Sequence, residues 1–359
     1  MIRILHVLGG PLDKGGITTF ILNYLSVLDQ KKFSFSVLTQ GNNDPDVCKV
    51  FNNLGCDIYN IPYKSDSLVG YFLGLHKFLN NGNFNIIHSH EDIMSFIPIS
   101  YSRLVSRHSK IVMHSHNTDI TNKTFLRPLI YQSLKKLNRI FDCTRLACSN
   151  DAGKWLFGKK CFSILENSIN FSDYKFSFNK RQYVRNEMSL GDSYVIGYVG
   201  RIEDQKNPEF LLLLAKSLKK VSNKITIIAI GGGNKLGSLR NSNSNLFNLK
   251  FLGPRNDVKD ILNAFDLFIM PSKFEGLGIA AIEAQANGLN CILSTNVPQE
   301  AKISDFVFFL PLDINTWVNT ITDLFNNYSG RSSQINLSCT YNIEVSVNKL
   351  QKIYEDLIK

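Results

Sequence analysis

Short apolar runs alternate with longer amphipathic runs along the first half of this chain. A Gly-rich turn follows the first apolar run, and a helical pattern over residues 17–29 comes after it. The apolar runs that are typical of buried strands cover residues 2–8, 35–39, 86–89, 110–114 and 146–149. Strands that alternate with helices in this way predict a parallel sheet with helices on both of its faces.

The second half repeats the pattern, and the length of 359 residues suits two domains. Its strand-like runs cover residues 194–199, 224–230, 249–252, 267–270 and 290–294. Helical patterns cover residues 208–221, 278–288 and 343–358. The stretch 168–192 is polar and has no strand pattern, so we place the joint between the two halves there.

Basic residues outnumber acidic ones, and the excess is concentrated in one window. Forty Lys and Arg against thirty Asp and Glu give a formal charge of +10. Residues 103–145 hold nine basic and two acidic residues, so one face of the first half is expected to be strongly positive. Such a charge favours anionic partners, but no nucleic-acid recognition motif accompanies it.

Cysteine usage and hydropathy predict the compartment. The seven cysteines are odd in number and contain no CxxC pair, which indicates neither a disulfide framework nor a zinc site. We find no secretory-signal pattern and no apolar run of the ~18 residues that a membrane span needs. We therefore expect reduced thiols and a cytoplasmic protein that is at most attached to a membrane surface.

The strongest local signal is the segment 266–288, DLFIMPSKFEGLGIAAIEAQANG. A strand runs into a loop that contains Glu275, Gly276 and Gly278, and a helix follows. The glycines permit close backbone approach, and the unpaired N–H groups at the helix start suit a phosphate. Glu275 can accept hydrogen bonds from sugar hydroxyls, and Glu283 on the helix can accept them from a ribose. A solvated loop Glu and an exposed helix Glu are the alternative.

Arg201 and Lys206 lie in the loop GRIEDQKNP, after a strand that ends at Gly200. Ligands of open α/β sheets bind at the carboxyl edge of the strands, where this loop is expected to lie. An Arg forms paired hydrogen bonds with phosphate oxygens, and a Lys supplies a compact charge. The pair can stabilise a departing diphosphate without a metal, although ordinary solvent-exposed side chains are the alternative.

A third signal is the Gly-rich loop GGPLDKGGITT at residues 9–19, between the first strand and the first helix. It matches neither GxGxxG nor GxxxxGK[ST], which excludes the dinucleotide fingerprint and the P-loop. Its Gly15 and Gly16 remain candidates for a backbone nest that holds an anion or a sugar.

Two histidine pairs each follow a predicted strand: His88 and His90 in HSHE, and His114 and His116 in HSHNT. From their alternate spacing we expect only one member of each pair to face a given side of the sheet. No HExxH-type ligand set is present. A metal site, structural hydrogen bonds and contact with a substrate stay open as roles, and we favour contact with a substrate.

Taken together, these segments resemble the retaining glycosyltransferases of family 4, in the branch that assembles capsular polysaccharide and exopolysaccharide. The similarity covers nearly the whole chain and rests on the Glu-x7-Glu motif at Glu275 and Glu283 and on several other segments. These are GRIEDQKNPEFLL, FLGPRNDVKDIL, NVPQE, VMHSHNT and the Gly15-Gly16 loop. The resemblance implies the GT-B fold, in which two Rossmann-like α/β domains face each other across a cleft.

The resemblance also implies domain roles and a donor site. Residues 1–170 are the acceptor domain, on which the helix 343–359 packs back, and residues 171–342 are the nucleotide-sugar donor domain. The implied donor-binding residues are Gly16, Arg201, Lys206, Glu275, Gly276, Leu277, Gly278 and Glu283. Among them, Arg201 and Lys206 hold the diphosphate, Glu275 contacts the donor sugar and Glu283 binds the ribose.

At the reacting centre, the resemblance places His116 beside the transferred sugar, with His114 as the competing alignment. The implied catalytic set is His116, Glu275, Arg201 and Lys206, and the implied acceptor side consists of Gly15, His90, His114 and Asn117. No metal ligand and no cofactor are implied.

The implied reaction transfers a hexose or N-acetylhexosamine from a nucleotide-sugar, by resemblance a UDP-sugar, with retained configuration. The acceptor is expected to be a saccharide, lipid-linked, in the biosynthesis of a surface polysaccharide. A nucleotide-sugar epimerase of the same fold and a non-catalytic nucleotide- or sugar-binding subunit are the alternatives. Nucleic acid is not expected as a partner.

Residues 123–141 have the pattern of an amphipathic helix, with apolar residues opposite Lys135, Lys136 and Arg139. One interpretation is a core-facing helix with a solvated basic face. The other is attachment of the basic window 103–145 to an anionic membrane that carries a lipid-linked acceptor. The second interpretation would place the protein on the inner face of the cell membrane.

Overall fold

The computed structural model describes residues 1–13, 15–117, 127–242, 246–331, 337 and 339–359. Its packing divides the chain into two compact units. The first unit combines Met1–Ile169 with Thr340–Lys359, and the second unit is Asn170–Cys339.

A seven-stranded sheet forms the centre of the first unit, and all of its paired strands are parallel. The strands are β1 (Ile2–Val7), β2 (Phe33–Gln40), β3 (Asp57–Ile61), β4 (Ile86–Ser89), β5 (Lys110–Ser115), β6 (Thr144–Ala147) and β7 (Ser163–Ile164). Their order across the sheet is β3-β2-β1-β4-β5-β6-β7. The three strands β1, β4 and β5 are therefore neighbours, and the segments that follow them meet at one edge.

Helices connect these strands and cover both faces of the sheet. They are α1 (Gly16–Leu25), α2 (Pro45–Asn53), α3 (Leu68–Asn81), α4 (Phe96–Val105), α5 (Arg127–Ile140) and α6 (Asn150–Phe157). Polar side chains cap several of them: Ser67 Oγ accepts from the N–H of Gly70, and Ser149 Oγ from that of Ala152. Such caps satisfy N–H groups that the first helical turn leaves unpaired.

The sheet of the first unit has an apolar core on each face. Ile4 belongs to one core with Phe20 and Tyr24, whereas Leu5 belongs to the other with Leu75. Successive strand residues point to opposite faces, so a strand buried on both sides has to be apolar throughout. Each of these side chains contributes about 1.5–3 kcal/mol on full burial.

The second unit is built around a six-stranded parallel sheet. Its strands are β8 (Tyr194–Val199), β9 (Ile225–Ile230), β10 (Leu249–Gly253), β11 (Leu267–Met270), β12 (Asn290–Ser294) and β13 (Val307–Leu310), in the order β10-β9-β8-β11-β12-β13. Its helices are α7 (Phe171–Tyr174), α8 (Phe178–Glu187), α9 (Glu209–Val221), α10 (Leu236–Ser242), α11 (Val258–Ile261), α12 (Ile279–Ala286) and α13 (Ile314–Asn326).

The last helix, α14 (Ile343–Ile358), belongs to the first unit. Its buried residues Ile343, Val347, Leu350 and Tyr354 are part of the same apolar core as Ile4. Tyr354 also reaches the sheet, because its Oη lies 2.7 Å from His88 Nδ1.

The parallel α/β architecture predicted for both halves is confirmed. The sequence reading missed the strands β3, β7 and β13, all of which lie at or next to a sheet edge. Edge strands are buried on fewer sides, so their apolar signal is weaker. The polar stretch 168–192 contains the helices α7 and α8, which the apolar pattern did not predict.

Candidate active site

Two loops of the second unit meet at the carboxyl edge of its sheet. One follows β8 (residues 200–208) and the other follows β11 (residues 271–278), and these strands are paired. The backbone N–H of Lys273 donates to the carbonyl of Gln205 at 2.8 Å. Gln205 Nε2 in turn donates to the carbonyl of Phe274 at 3.2 Å. The structure thus brings together two segments that the sequence singled out separately.

Lys206 and Glu275 form an ion pair between these loops. Lys206 Nζ lies 2.6 and 2.7 Å from the two carboxylate oxygens of Glu275, and Ser272 Oγ donates to one of them at 2.6 Å. The Glu275 side chain is 4% exposed and that of Lys206 is 18% exposed. A carboxylate this deeply buried has to be paired.

Arg201 lies in the same loop as Lys206 but faces solvent. Its side chain is 63% exposed, and its Nη1 lies 2.8 Å from Glu203 Oε2. A second contact, from Nη2 to Gln205 Oε1, is long at 3.4 Å. Exposed ion pairs contribute little free energy, so the guanidinium can turn to an anionic ligand at small cost.

Glu283, on α12, is held by a residue that the sequence reading missed. Tyr174 Oη, at the end of α7, donates to Glu283 Oε1 at 2.7 Å. Burial raises the pKa of Glu283 and outweighs the Tyr174 hydrogen bond and the charge of Lys259, which both lower it. Tyr174 lies 109 positions before Glu283 in a polar stretch, so no local pattern connects the two residues.

The segment Gly276, Leu277 and Gly278 leads into α12. Gly278 precedes the helix with a φ of 86°, a left-handed conformation that glycine adopts without strain. Beyond its own chain neighbours, the described part of the chain places no atom within 4 Å of the position that a Cβ would take at Gly276. Gly276 is exposed and Leu277 is half-buried, so the backbone here is open to a ligand.

The loop after β9 supports the Arg201 loop through close backbone approach. A Cβ on Gly231 would lie 1.9 Å from the carbonyl oxygen of Gly200, and one on Gly233 would lie 2.4 Å from that of Ile202. The N–H of Ile202 also donates to the carbonyl of Gly232 at 2.8 Å. These glycines therefore let two neighbouring loops pack against each other.

A cavity of about 550 Å³ opens at the carboxyl edge of the first sheet. Its lining includes Gly15, Gly16 and His90 of the predicted site, whereas His114, His116 and Asn117 do not line it. Apart from its chain neighbours, no atom of the described residues lies within 4 Å of the Cβ position at Gly16. At Gly15, by contrast, the Asp13 carboxylate packs closely and accepts the backbone N–H at 2.9 Å.

A buried ion pair forms part of the cavity wall. Lys64 Nζ lies 2.6 Å from Glu91 Oε2, and Gln40 Nε2 donates to Glu91 Oε1 at 2.8 Å. Burial raises the pKa of Glu91, and the charge of Lys64 opposes that shift. The sequence reading missed Lys64 because it missed β3, the strand that precedes it.

Five histidines lie together at the ends of β1, β4 and β5, and we call them the histidine row: His6, His88, His90, His114 and His116. The ring centroids of His88 and His90 are 4.3 Å apart, and those of His114 and His116 are 4.1 Å apart. Both members of each pair therefore share a face. The expectation of one member per side was wrong, because side chains two residues apart in a strand point the same way.

Four members of the histidine row are buried and His116 is half-buried, and the pKa values of all five are lowered. Burial lowers the pKa of His6 and of His116 to about 3. It also lowers the pKa of His88, His90 and His114 well below the ordinary value, and neighbouring imidazoles add to the effect. The sequence signal for His6 was a single polar residue at an inward position of an apolar strand.

Asp92 anchors the turn after β5. Its Oδ1 accepts the backbone N–H of His116 at 2.8 Å, and its Oδ2 accepts from Asn117 Nδ2 at 2.6 Å. Burial raises the pKa of Asp92 to about 6 in spite of these hydrogen bonds. Its φ of 47° is unusual for a residue other than glycine, and such conformations are frequent at functional sites.

Two trios of histidines have ligand atoms within 4.8 Å of one another: His6, His88 and His90, and His90, His114 and His116. His90 belongs to both trios, and both of its ring nitrogens already form hydrogen bonds to other imidazoles. A metal ion would have to displace at least one of these bonds. The fit to a metal is therefore poor.

The basic window 103–145 is only partly described, because residues 118–126 lie outside the described residues, as does the start of the predicted helix 123–141. Several of its cations bind the protein itself: Arg145 donates to the carbonyl of Phe141 at 2.5 Å, and Lys135 lies over the Trp155 ring. Arg107 and Lys136 are exposed. Among the described helices, none has the length and apolar character that crossing a bilayer requires.

Two parallel-sheet α/β units, each with polar side chains gathered at the carboxyl edge of its strands, define the class of two-domain proteins that includes the GT-B glycosyltransferases. Among solved structures, Anabaena Alr3699/HepE in complex with UDP-glucose matches this chain with a TM-score of 0.78 and 14% identity. The match covers 99% of this chain and 100% of that one, which confirms the fold.

The chain belongs to the family of group 1 glycosyl transferases, whose model matches residues 179–336. It is 30% identical to the putative glycosyltransferase EpsF of Bacillus subtilis, over 89% of this chain and 86% of that protein. It is 27% identical to the capsular polysaccharide biosynthesis glycosyltransferase CapH of Staphylococcus aureus, over 99% of each. The UDP-Gal:alpha-D-GlcNAc-diphosphoundecaprenol alpha-1,3-galactosyltransferase of Escherichia coli is 25% identical, over 99% of this chain and 97% of that protein. The chain is thus a transferase, and its resemblance to the glycosyltransferases of capsular polysaccharide and exopolysaccharide biosynthesis is confirmed.

Proposed function

We propose that this transferase moves a hexose or N-acetylhexosamine from a UDP-sugar to a lipid-linked saccharide, with retained configuration, in the synthesis of a surface polysaccharide. The observation that carries the proposal is the Lys206–Glu275 pair beside the open backbone at Gly276. It combines a cation for the diphosphate, a carboxylate for sugar hydroxyls and room for a ligand.

The donor side of the proposal assigns one task to each charged group. Lys206 and Arg201 stabilise the negative charge that develops on the departing diphosphate. Glu275 then accepts hydrogen bonds from the donor sugar, while Glu283 accepts them from the ribose. The HepE complex with UDP-glucose, a structure of the same fold, supports a UDP-linked donor. We propose that the two cations do this work without a metal ion.

The acceptor side rests on the relatives and on an exposed surface of the first unit. The name of the E. coli relative specifies an acceptor on diphosphoundecaprenol, and CapH is named for capsular polysaccharide biosynthesis. In the first unit, Leu104 is 69% exposed and Ile140 is 77% exposed, on the adjacent helices α4 and α5. With the exposed Arg107 and Lys136, they suit the surface of an anionic membrane.

Calorimetry tests the donor class. The purified chain is titrated with UDP, GDP, ADP and NAD after treatment with a chelator. We expect UDP to bind selectively and Arg201→Ala to weaken its binding about tenfold, the effect of losing one charge-assisted hydrogen bond. Selective binding of another nucleotide would contradict the UDP assignment, and dependence of binding on added metal would contradict the metal-free mechanism.

Product analysis tests the reaction. A UDP-sugar and a lipid-linked acceptor are incubated with the protein, and the anomeric configuration of the product is read by NMR. Retention is expected. UDP release with epimerised sugar and no need for an acceptor would favour the epimerase alternative.

Salt-sensitive binding of the protein to anionic vesicles, weakened by Lys136→Glu, would support attachment to a membrane surface, and no binding at low salt would exclude it.

A further inference from the structure

Three members of the histidine row form a hydrogen-bonded chain. His6 Nδ1 lies 2.9 Å from His90 Nε2, and His90 Nδ1 lies 2.8 Å from His116 Nε2. Both ring nitrogens of His90 are thus bonded to other imidazoles. His6 and His90 are buried, whereas His116 is half-buried and ends the chain.

Neutral imidazoles can place their protons in this hydrogen-bonded chain in two ways. A neutral ring carries one proton, so it donates from one nitrogen and accepts at the other. In the first arrangement, His6 Nδ1–H donates to His90 and His90 Nδ1–H donates to His116, which leaves the His116 proton on Nδ1. In the second arrangement both bonds are reversed, so that His116 and His6 each carry their proton on Nε2.

His6, at the buried end of the hydrogen-bonded chain, distinguishes the two arrangements. His6 Nε2 is buried and has no hydrogen-bond partner among the residues that the structure describes. It is a bare acceptor in the first arrangement and an N–H donor in the second. Buried donors without a partner are rarer than buried acceptors without a partner. The first arrangement is therefore favoured.

We propose that His90, backed by His6, sets the tautomer of His116, so that His116 presents its Nδ1–H as a hydrogen-bond donor at the half-buried end of the chain. The inference rests on the proposed function and on the place beside the transferred sugar that the family resemblance implies for His116. A donor at this position binds a sugar oxygen and does not remove a proton from one. His90 is thus a positioning residue that acts through His116.

The surroundings of the chain support this assignment. The lowered pKa values keep the imidazoles neutral, so the alternation of donor and acceptor is preserved. The Phe20 ring packs edge-on against His116, at 5.2 Å between centroids, and covers that side of the row. Asp92 binds His116 through the backbone N–H, at 2.8 Å. The His116 ring is instead bonded through Nε2 to His90, at 2.8 Å.

NMR of the full-length protein labelled with 15N at histidine tests the tautomer directly. Long-range proton–nitrogen spectra show which ring nitrogen of each histidine carries the proton, and His116→Gln identifies the signals of His116 by their loss. We expect His116 to be protonated at Nδ1 and unprotonated at Nε2. A proton on Nε2 would overturn the inference. This measurement does not depend on sugar transfer, so it stands even if the proposed function fails.

Kinetics test whether His90 acts through this bond. His90→Leu removes the donor to His116, whereas the amide of His90→Gln can still donate. We expect His90→Leu to lower kcat on the order of tenfold or more, as for a lost orienting partner of a catalytic histidine. The KM for the donor should change little, and His90→Gln should recover part of kcat.

The matched control is Ser89→Ala, which removes a buried polar side chain next to His90 in the sequence, one that donates to Ser95 at 2.9 Å and lies outside the histidine row. We expect it to retain the wild-type kcat. Equal effects of Ser89→Ala and His90→Leu would show that only packing matters, and would overturn the role of His90. If the wild type transfers no sugar from any nucleotide-sugar, the proposed function fails and the NMR result alone decides the tautomer.

Discussion

Lys206 Nζ contacts both carboxylate oxygens of Glu275, at 2.6 and 2.7 Å, across two loops that follow neighbouring strands. The two groups that are proposed to serve the donor diphosphate and the donor sugar therefore neutralise each other. Because the Glu275 side chain is nearly buried, this contact matters for the stability of the loops as well as for binding.

Lys206→Ala is expected to destabilise the protein as well as to weaken UDP binding. Removing one partner of a buried ion pair costs about 3–5 kcal/mol, and the partial exposure of Lys206 reduces this to roughly 2 kcal/mol. Denaturant unfolding measures the effect. Lys206→Ala combined with Glu275→Gln should recover part of the loss, because no unpaired charge then remains.

The control for this change is Arg201→Ala in the same loop. Its exposed side chain predicts a smaller change in the free energy of unfolding, although UDP binding is weakened in both variants. If Lys206→Ala is as stable as Arg201→Ala, then the Lys206–Glu275 pair is not a stabilising contact.

Much of this site follows from the sequence because strand ends in a parallel sheet share an edge. Glu275 and Lys206 were each placed after a strand, and the pairing of β8 with β11 brings them together. Their direct contact could not be predicted, because the two residues are 69 positions apart in the sequence. Whether they meet depends on the register of β8 against β11, which is set by tertiary packing.

The residues that sequence reading missed share one property: their partners are distant and their own segments are polar or irregular. Tyr174 and Lys64 lie outside every predicted strand and helix, and yet each binds a buried carboxylate. His6 lies within a correctly predicted strand, but its role depends on His90, 84 positions away. Tertiary contacts of this kind leave no periodic signal.

Alanine substitutions at three glycines should separate ligand approach from folding. Among the described residues, none other than a chain neighbour comes within 4 Å of the Cβ position at Gly16 or Gly276. Gly16→Ala and Gly276→Ala should therefore change the free energy of unfolding by only about 0.5 kcal/mol. UDP binding, measured by calorimetry, should nevertheless weaken about tenfold if the ligand approaches this backbone.

The contrasting variant is Gly231→Ala, whose Cβ would lie 1.9 Å from a backbone oxygen. It is expected to cost several kcal/mol, because two loops would have to separate. Unchanged UDP binding in both Gly16→Ala and Gly276→Ala would show that neither glycine is needed for ligand approach.

UDP binding is expected to depend on pH through Glu283. Its pKa is raised by burial, so in the folded protein the carboxyl holds a proton at pH values where the unfolded chain has lost it. The stability that it contributes is therefore lost as the pH rises through the folded pKa. Ribose hydroxyls favour the ionised form, so UDP affinity should increase over the same range.

Calorimetry across a pH series checks this prediction, with Glu283→Gln as the variant that should lack the dependence. The Tyr174 hydrogen bond lowers the pKa of Glu283, so Tyr174→Phe should move the midpoint to higher pH. UDP affinity that keeps the same pH dependence in Glu283→Gln would assign the titration to another group.

The last helix is expected to stabilise the first unit specifically. Leu350 is 1% exposed and lies in the same apolar core as Ile4, whereas Val345 on the same helix is 51% exposed. Leu350→Ala should lower the free energy of unfolding by about 2–5 kcal/mol, the usual cost of a cavity at a buried leucine. Val345→Ala is the matched control, and it should change that free energy by only about 0.5 kcal/mol. Hydrogen exchange locates the effect: with Leu350→Ala, amide protection should fall in β1 and β4 and remain unchanged in β9. Loss of protection in β9, or equal effects of the two variants, would contradict the assignment of α14 to the first unit.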